Sequence, residues 1–97
     1  MSFPVMKLSF ANKHAIVCGG TDGIGKSTAE LLAASGCEVT LVARNQKKLE
    51  MVKSSLPLNY GQNHQVVCAD FNEPNELKER INAYINSLGK VVDILIN

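Results

Sequence analysis

The sequence has no apolar run approaching the roughly 20 residues that a bilayer-spanning helix needs. Its N-terminus, Met1 to Phe10, carries Lys7 and scattered apolar residues but no continuous apolar stretch, which argues against a secretory signal peptide. Charge of one sign is also scarce. Ten basic and nine acidic residues leave a net charge of +1, so nothing in the balance points to nucleic acid or an acidic membrane surface. The three cysteines, Cys18, Cys37 and Cys68, are odd in number, far apart and without a Cys-x-x-Cys pair. That pattern fits reduced thiols in the cytoplasm better than a disulfide framework. His14 and His64 have no partner at catalytic or metal-ligand spacing, so no metal site is expected. Repeats, linkers and low-complexity segments are absent too. What remains is one domain over residues 1–97, with material for a single modest core.

Four apolar runs alternate with helical patterns, the signature of βαβ units on a parallel sheet. His14-Ala15-Ile16-Val17-Cys18 is the first run and stops at Gly19-Gly20. Ile24, Thr28, Leu31, Leu32 and Ser35 then recur at helical spacing, with Gly36 placed to end the helix. Glu38 to Ala43 is a β-branched second strand. Asn45 suits the N-cap of a helix whose Leu49, Val52 and Leu56 form an apolar stripe before Pro57. After a polar loop, Gln65 to Ala69 reads as the third strand. Pro74 opens a long helix with Leu77, Ile81, Tyr84, Ile85 and Leu88 on one face and Gly89 at its end. Val91 to Ile96 is the fourth strand. Right-handed crossovers then give the order 3-2-1-4, the N-terminal half of a doubly wound Rossmann-like α/β fold. The reversal of direction between strands one and four lies above the Gly19 turn, and strand four is left as an apolar edge.

The turn itself fits two phosphate-binding motifs. From Gly20 it is Gly-x-x-x-x-Gly-Lys-Ser, a P-loop in which Lys26 reaches the β/γ-phosphates of ATP, Ser27 holds magnesium, and Asp70 serves as the metal-organising acid. From Gly19 it is Gly-x-x-x-Gly-x-Gly, a dinucleotide turn. There Gly19 makes the bend, Gly23 admits the pyrophosphate to backbone N–H groups and Gly25 lets helix and strand pack closely. The residue that reads the ribose in a dinucleotide fold falls at the end of strand two, about 20 residues on. That place holds Ala43-Arg44-Asn45. Without a carboxylate for the ribose 2′-hydroxyl, and with Arg44 available for a 2′-phosphate, the string favours NADP(H) over NAD(H).

Cys18-Gly19-Gly20-Thr21-Asp22-Gly23-Ile24-Gly25 resembles the Thr-Gly-x-x-x-Gly-Ile-Gly signature of short-chain dehydrogenases/reductases, with Cys18 in the threonine's place. The resemblance continues in register through Leu41-Val42-Ala43-Arg44-Asn45, Cys68-Ala69-Asp70-Phe71 and Val92-Asp93-Ile94-Leu95-Ile96-Asn97, where Asn97 would begin the family's Asn-Asn-Ala-Gly motif. Within the family the strings are similar to NADPH-dependent reductases of steroids, 3-ketoacyl groups and ketosphingoid bases. The resemblance implies that Gly19, Thr21, Asp22, Gly23 and Ile24 contact the adenosine ribose and pyrophosphate. It implies that Arg44 and Lys48 hold the 2′-phosphate, that Asp70 and Phe71 frame the adenine, and that Asn97 sits beside the cofactor's ribose. Asp22 adds a carboxylate that repels a 2′-phosphate, yet the NADPH-using relatives that this string resembles carry the same aspartate.

The family interconverts a carbonyl and an alcohol by hydride transfer, using a serine and a Tyr-x-x-x-Lys pair that follow the Asn-Asn-Ala-Gly motif. Tyr60 is followed four positions on by His64, and Tyr84 by Leu88, so neither completes the pair and no catalytic residue is assigned. The expectation is therefore the N-terminal, cofactor-binding portion of an NADP(H)-dependent reductase that acts on a small carbonyl or alcohol and associates as a homo-oligomer. The alternatives are a P-loop ATP-binding domain and a non-catalytic nucleotide-binding or interaction fragment.

Overall fold

A computed structural model of the chain describes residues 11–69, 74–89 and 91–96. Asp70, Phe71 and Asn97, three of the expected site residues, lie outside the described residues. The elements are β1 (His14–Cys18), α1 (Gly23–Ala34), β2 (Glu38–Ala43), α2 (Gln46–Ser55), β3 (Gln65–Cys68), α3 (Pro74–Leu88) and β4 (Ile94–Ile96). The strands pair in parallel in the order β3-β2-β1-β4, the expected Rossmann-like arrangement.

Strand alternation divides the core between the two sheet faces. Ala15, Val17, Val39, Leu41 and Ala43 face α1 and α2, which add Ala29, Ala33, Leu49, Val52 and Leu56. Ile16, Val42 and Ala69 face the other way, where Leu77, Ile81, Tyr84 and Ile85 of α3 pack on them. Three layers result, with β1 and β2 covered on both faces.

The expected apolar stripe of α1 coincides only in part with the face that it buries, where Leu32 packs on the core. Ile24 and Leu31 are 86% and 70% exposed, whereas Ala29 and Ala33 are fully buried. The cause is the glycine turn, which brings the helix so close to the sheet that only small side chains fit between them. Gly25, Ala29 and Ala33, four residues apart, make that contact row. Ile24 and Leu31 are left to the outside, while Leu32 is partly buried against the edge of the core.

The helix ends follow local chemistry. At the end of α1 the Gly36 N–H bonds to the Ala33 carbonyl (3.1 Å) and the Cys37 N–H to the Leu32 carbonyl (3.0 Å), a Schellman closure around Gly36 at φ +99°. Gln62 Nε2 donates to the Ala33 and Cys37 carbonyls as well, tying the β3 approach to this turn. Asn45 caps α2 as expected, its side chain accepting the Lys48 N–H at 3.1 Å. β4 is shorter than its apolar run and begins only at Ile94. Asp93 ends the ladder there, since its carboxylate accepts the His14 N–H (2.9 Å) while its own N–H donates to the His14 carbonyl (2.9 Å).

Both histidines are buried structural groups. His64 Nδ1 accepts the Val39 N–H at 3.0 Å, so its Nε2 carries the proton and donates to the Pro57 carbonyl at 2.8 Å. His14 Nε2 meets the Thr40 hydroxyl, which in turn meets the Tyr84 hydroxyl, linking β1, β2 and α3. Cys18 and Cys68 are only half-buried, because each closes a strand at the open end of the sheet. Cys37 is the buried one. Burial, followed by the nearby Asp93 and Glu38 charges, pushes its thiol from an ordinary value near 9 up to about 11. Iodoacetamide at pH 8 should therefore modify Cys68 and Cys18 well ahead of Cys37, as read by peptide mass spectrometry. Equal labelling of all three would contradict this packing. The folded chain holds that proton more tightly than the unfolded one, so the thiol's contribution to stability is complete below about pH 9 and is lost as pH climbs toward 11.

Candidate functional site

β1 and β2 run side by side, paired from His14↔Glu38 to Cys18↔Val42, and their carboxyl ends open into the same space. At that end the Gly19 N–H donates to the Val42 carbonyl (2.7 Å), pinning the glycine turn across the top of β2. Gly19 takes φ +74° and Gly23 φ +54°, the left-handed region that favours glycine. A Cβ built on either would meet nothing within 4 Å, so both turn bare backbone toward open space.

A cleft of about 860 Å³ lies between this turn and the start of α2. Gly19, Thr21 and Asp22 form one wall. Ala43, Arg44 and Asn45 form the other, continued by Lys47 and Lys48 from the first turn of α2. Of the expected site residues the fold thus brings Gly19, Thr21, Asp22, Arg44 and Lys48 together on one cleft. Gly23, Ile24 and Gly25 are not on its walls but make the first turn of α1 beside it, and Ile24 projects away into solvent. Lys47 was not anticipated. The available signal was its place three residues after Arg44, one helical turn along the same strand-to-helix junction.

Charge and dipole both favour an anion here. Three cations, Arg44, Lys47 and Lys48, share the cleft with one carboxylate, Asp22. The N-termini of α1 and α2 adjoin it as well, and each places partial positive charge at its first turn. The two ends differ in one respect. The Asn45 side chain occupies a first-turn donor of α2, whereas Asp22, the N-cap of α1, makes no side-chain cap bond. Its carboxylate instead meets Lys48 Nζ at 3.5 Å. Both groups are more than half exposed, so the pair adds at most about 1 kcal/mol of stability. The first-turn N–H groups of α1 have no intrahelical acceptors and lie beside the cleft without a side-chain cap.

Lys26 is elsewhere. It is not on the cleft's walls but lines an adjoining depression between α1 and α2 with Thr21, Asp22, Lys48, Met51, Val52 and Ser55, and Ser27 is exposed. A P-loop lysine must reach the anion held by the loop, and this one is not among the residues that line the cleft. Among the described residues no group of His, Cys, Asp or Glu could hold a metal ion. No helix among them is long and apolar enough to cross a membrane.

Comparison with known proteins agrees with this geometry. A family model described as short chain dehydrogenase matches residues 13–97. The chain belongs to the short-chain dehydrogenase family. It is 39% identical over 83 residues to very-long-chain 3-oxoacyl-CoA reductase of Anas platyrhynchos, covering 86% of this chain and 26% of that protein. It is 37% identical over 85 residues to inactive hydroxysteroid dehydrogenase-like protein 1 of Homo sapiens, covering 88% and 25%. Among solved structures it resembles L-sorbose reductase of Gluconobacter frateurii, complexed with NADPH and L-sorbose, with a TM-score of 0.80 and 30% identity over 95% of this chain and 35% of that one. An oxidoreductase from E. coli superimposes with a TM-score of 0.82 at 26% identity, covering all of this chain and 41% of the other. This short-chain dehydrogenase chain spans about a quarter of the length of the curated relatives that it matches.

Proposed function

We propose that the chain is the cofactor-binding portion of an NADP(H)-dependent oxidoreductase that interconverts a carbonyl and an alcohol. The observation that carries the reading is the cleft between the Gly19 turn and Arg44, basic on one wall and bare backbone on the other. The residues suit such a cofactor. Gly19 and Gly23 leave room for a pyrophosphate, and the first turn of α1 supplies N–H donors to it. Thr21 stands on the same wall for the adenosine ribose. Arg44 and Lys48 take the 2′-phosphate, Arg44 as a two-pronged donor and Lys48 as a mobile charge. Asp70 and Phe71 flank the adenine and Asn97 lies beside the cofactor's ribose, roles that follow from the family resemblance. The bound dinucleotide supplies the hydride, while this chain's part is to hold and orient it.

Relatives named as reductases and one named as inactive are matched equally well. The resemblance therefore supports dinucleotide binding more directly than turnover. The carbonyl substrate, the homo-oligomeric state and a cytoplasmic location belong to the same proposal.

A fluorescence titration of the intact protein tests it. NADPH should bind, and ATP with magnesium in excess should not displace it. Lys26→Ala should leave NADPH affinity within about twofold, since Lys26 is outside the cleft. Displacement by ATP, or a collapse of binding in the Lys26 variant, would restore the P-loop alternative.

A further inference from the structure

We propose that Lys48 is a positioning residue that keeps the anion-binding end of α1 open by drawing the Asp22 carboxylate away from it. The inference rests on the dinucleotide reading above and concerns the pyrophosphate rather than the 2′-phosphate.

Asp22 occupies the N-cap of α1 with extended backbone angles (φ −139°, ψ 154°). That is the conformation from which an N-cap aspartate normally accepts a first-turn N–H, and aspartate is among the preferred residues for it. Here the cap bond is not made. The carboxylate meets Lys48 Nζ at 3.5 Å on the facing helix. Lys48 is placed for this by its own helix, because the Asn45 side chain accepts the Lys48 N–H and fixes the first turn of α2.

Diverting Asp22 has two consequences. It leaves the first-turn N–H groups free for a phosphate oxygen, and it neutralises a negative charge at the rim of an anion site. Both consequences bear on any dinucleotide, with or without a 2′-phosphate. They also resolve why an aspartate is tolerated beside a phosphate cleft: it is held off by an ion pair that spans the mouth.

The test uses NADH, which has the pyrophosphate and lacks the 2′-phosphate. Lys48→Met releases Asp22 to cap α1 and should weaken NADH roughly five- to tenfold, the scale of one cap bond. Thermal stability should hold or rise, because a cap is gained. Adding Asp22→Ala to Lys48→Met should recover most of the NADH affinity that Lys48→Met loses, and Lys48→Arg, which keeps the pair, should lose clearly less than Lys48→Met. An unchanged NADH affinity in Lys48→Met, or no recovery in the double variant, would overturn the proposal while leaving dinucleotide binding intact. A wild-type protein that binds neither NADPH nor NADH would overturn both readings.

Discussion

Replacing Gly25 by alanine should cost the protein about 1–3 kcal/mol of stability and weaken dinucleotide binding by at least about tenfold. The added Cβ would collide with the Gly19 carbonyl oxygen and lie 3.0 Å from the Gly19 carbonyl carbon and 3.3 Å from Gly20 Cα. These neighbours are all backbone, so no side chain can rotate out of the way. Either the turn or the helix must move. The turn is pinned by the Gly19 N–H bond to Val42, and the helix by Ala29 and Ala33, both fully buried against the sheet. Moving the helix opens that contact row, and moving the turn displaces the wall of the cleft. Urea unfolding and an NADPH titration on the same variant measure the two effects. Gly23→Ala is the comparison, since a Cβ there meets nothing and only its φ of +54° is unfavourable. It should lose about 1–2 kcal/mol through backbone strain. A Gly25 variant as stable and as tight-binding as wild type would show that the helix does not need this approach.

The same close approach explains what the residues alone concealed. The bounds of β1 and β2 were legible because each is a short β-branched or apolar run with a sharp polar or glycine border. The start of α2 was legible because Asn45 has the chemistry of a cap. The buried face of α1 was not, since periodicity weighs Ile24 and Leu31 above alanines. It contains no information about how near the sheet will be. The distance is set by Gly25 meeting Gly19, a contact between residues on two sides of a turn. β4 was overextended for a similar reason. Val91 and Val92 continue its apolar run, but Asp93 turns its carboxylate onto the His14 N–H, and that bond depends on the neighbouring strand.

The cleft was legible in its parts and not in its internal pairing. Gly19 and Arg44 were placed by motif and by strand order, because a parallel sheet delivers both strand ends to one side. Asp22 was seen as a charge conflict. Its partner lies 26 residues away on another helix, and only the fold shows that Lys48 answers it. Lys47 went unnoticed because its place three residues after Arg44 is a weak signal beside the many exposed lysines of an amphipathic helix. The wall it shares with Arg44 is a property of the packed β2–α2 junction.

Replacing Arg44 by alanine should weaken NADPH by about ten- to a hundredfold, the equivalent of a charge-assisted contact of about 1.5–3 kcal/mol. NADH should change by no more than about twofold, because it offers no phosphate at that position. Neither neighbouring lysine can make up the loss. A lysine ammonium lacks the planar fork that binds two phosphate oxygens at once. Arg44→Lys should consequently recover only part of the difference, and the recovered part should fade as salt is raised, as expected for a solvated point charge. Because Arg44 directly follows the last residue of β2 and is exposed, its removal leaves the sheet and both helix ends in place. The circular dichroism of the variant should match that of wild type. Equal losses for NADPH and NADH would mean that Arg44 supports the cleft as a whole and does not read the 2′-phosphate.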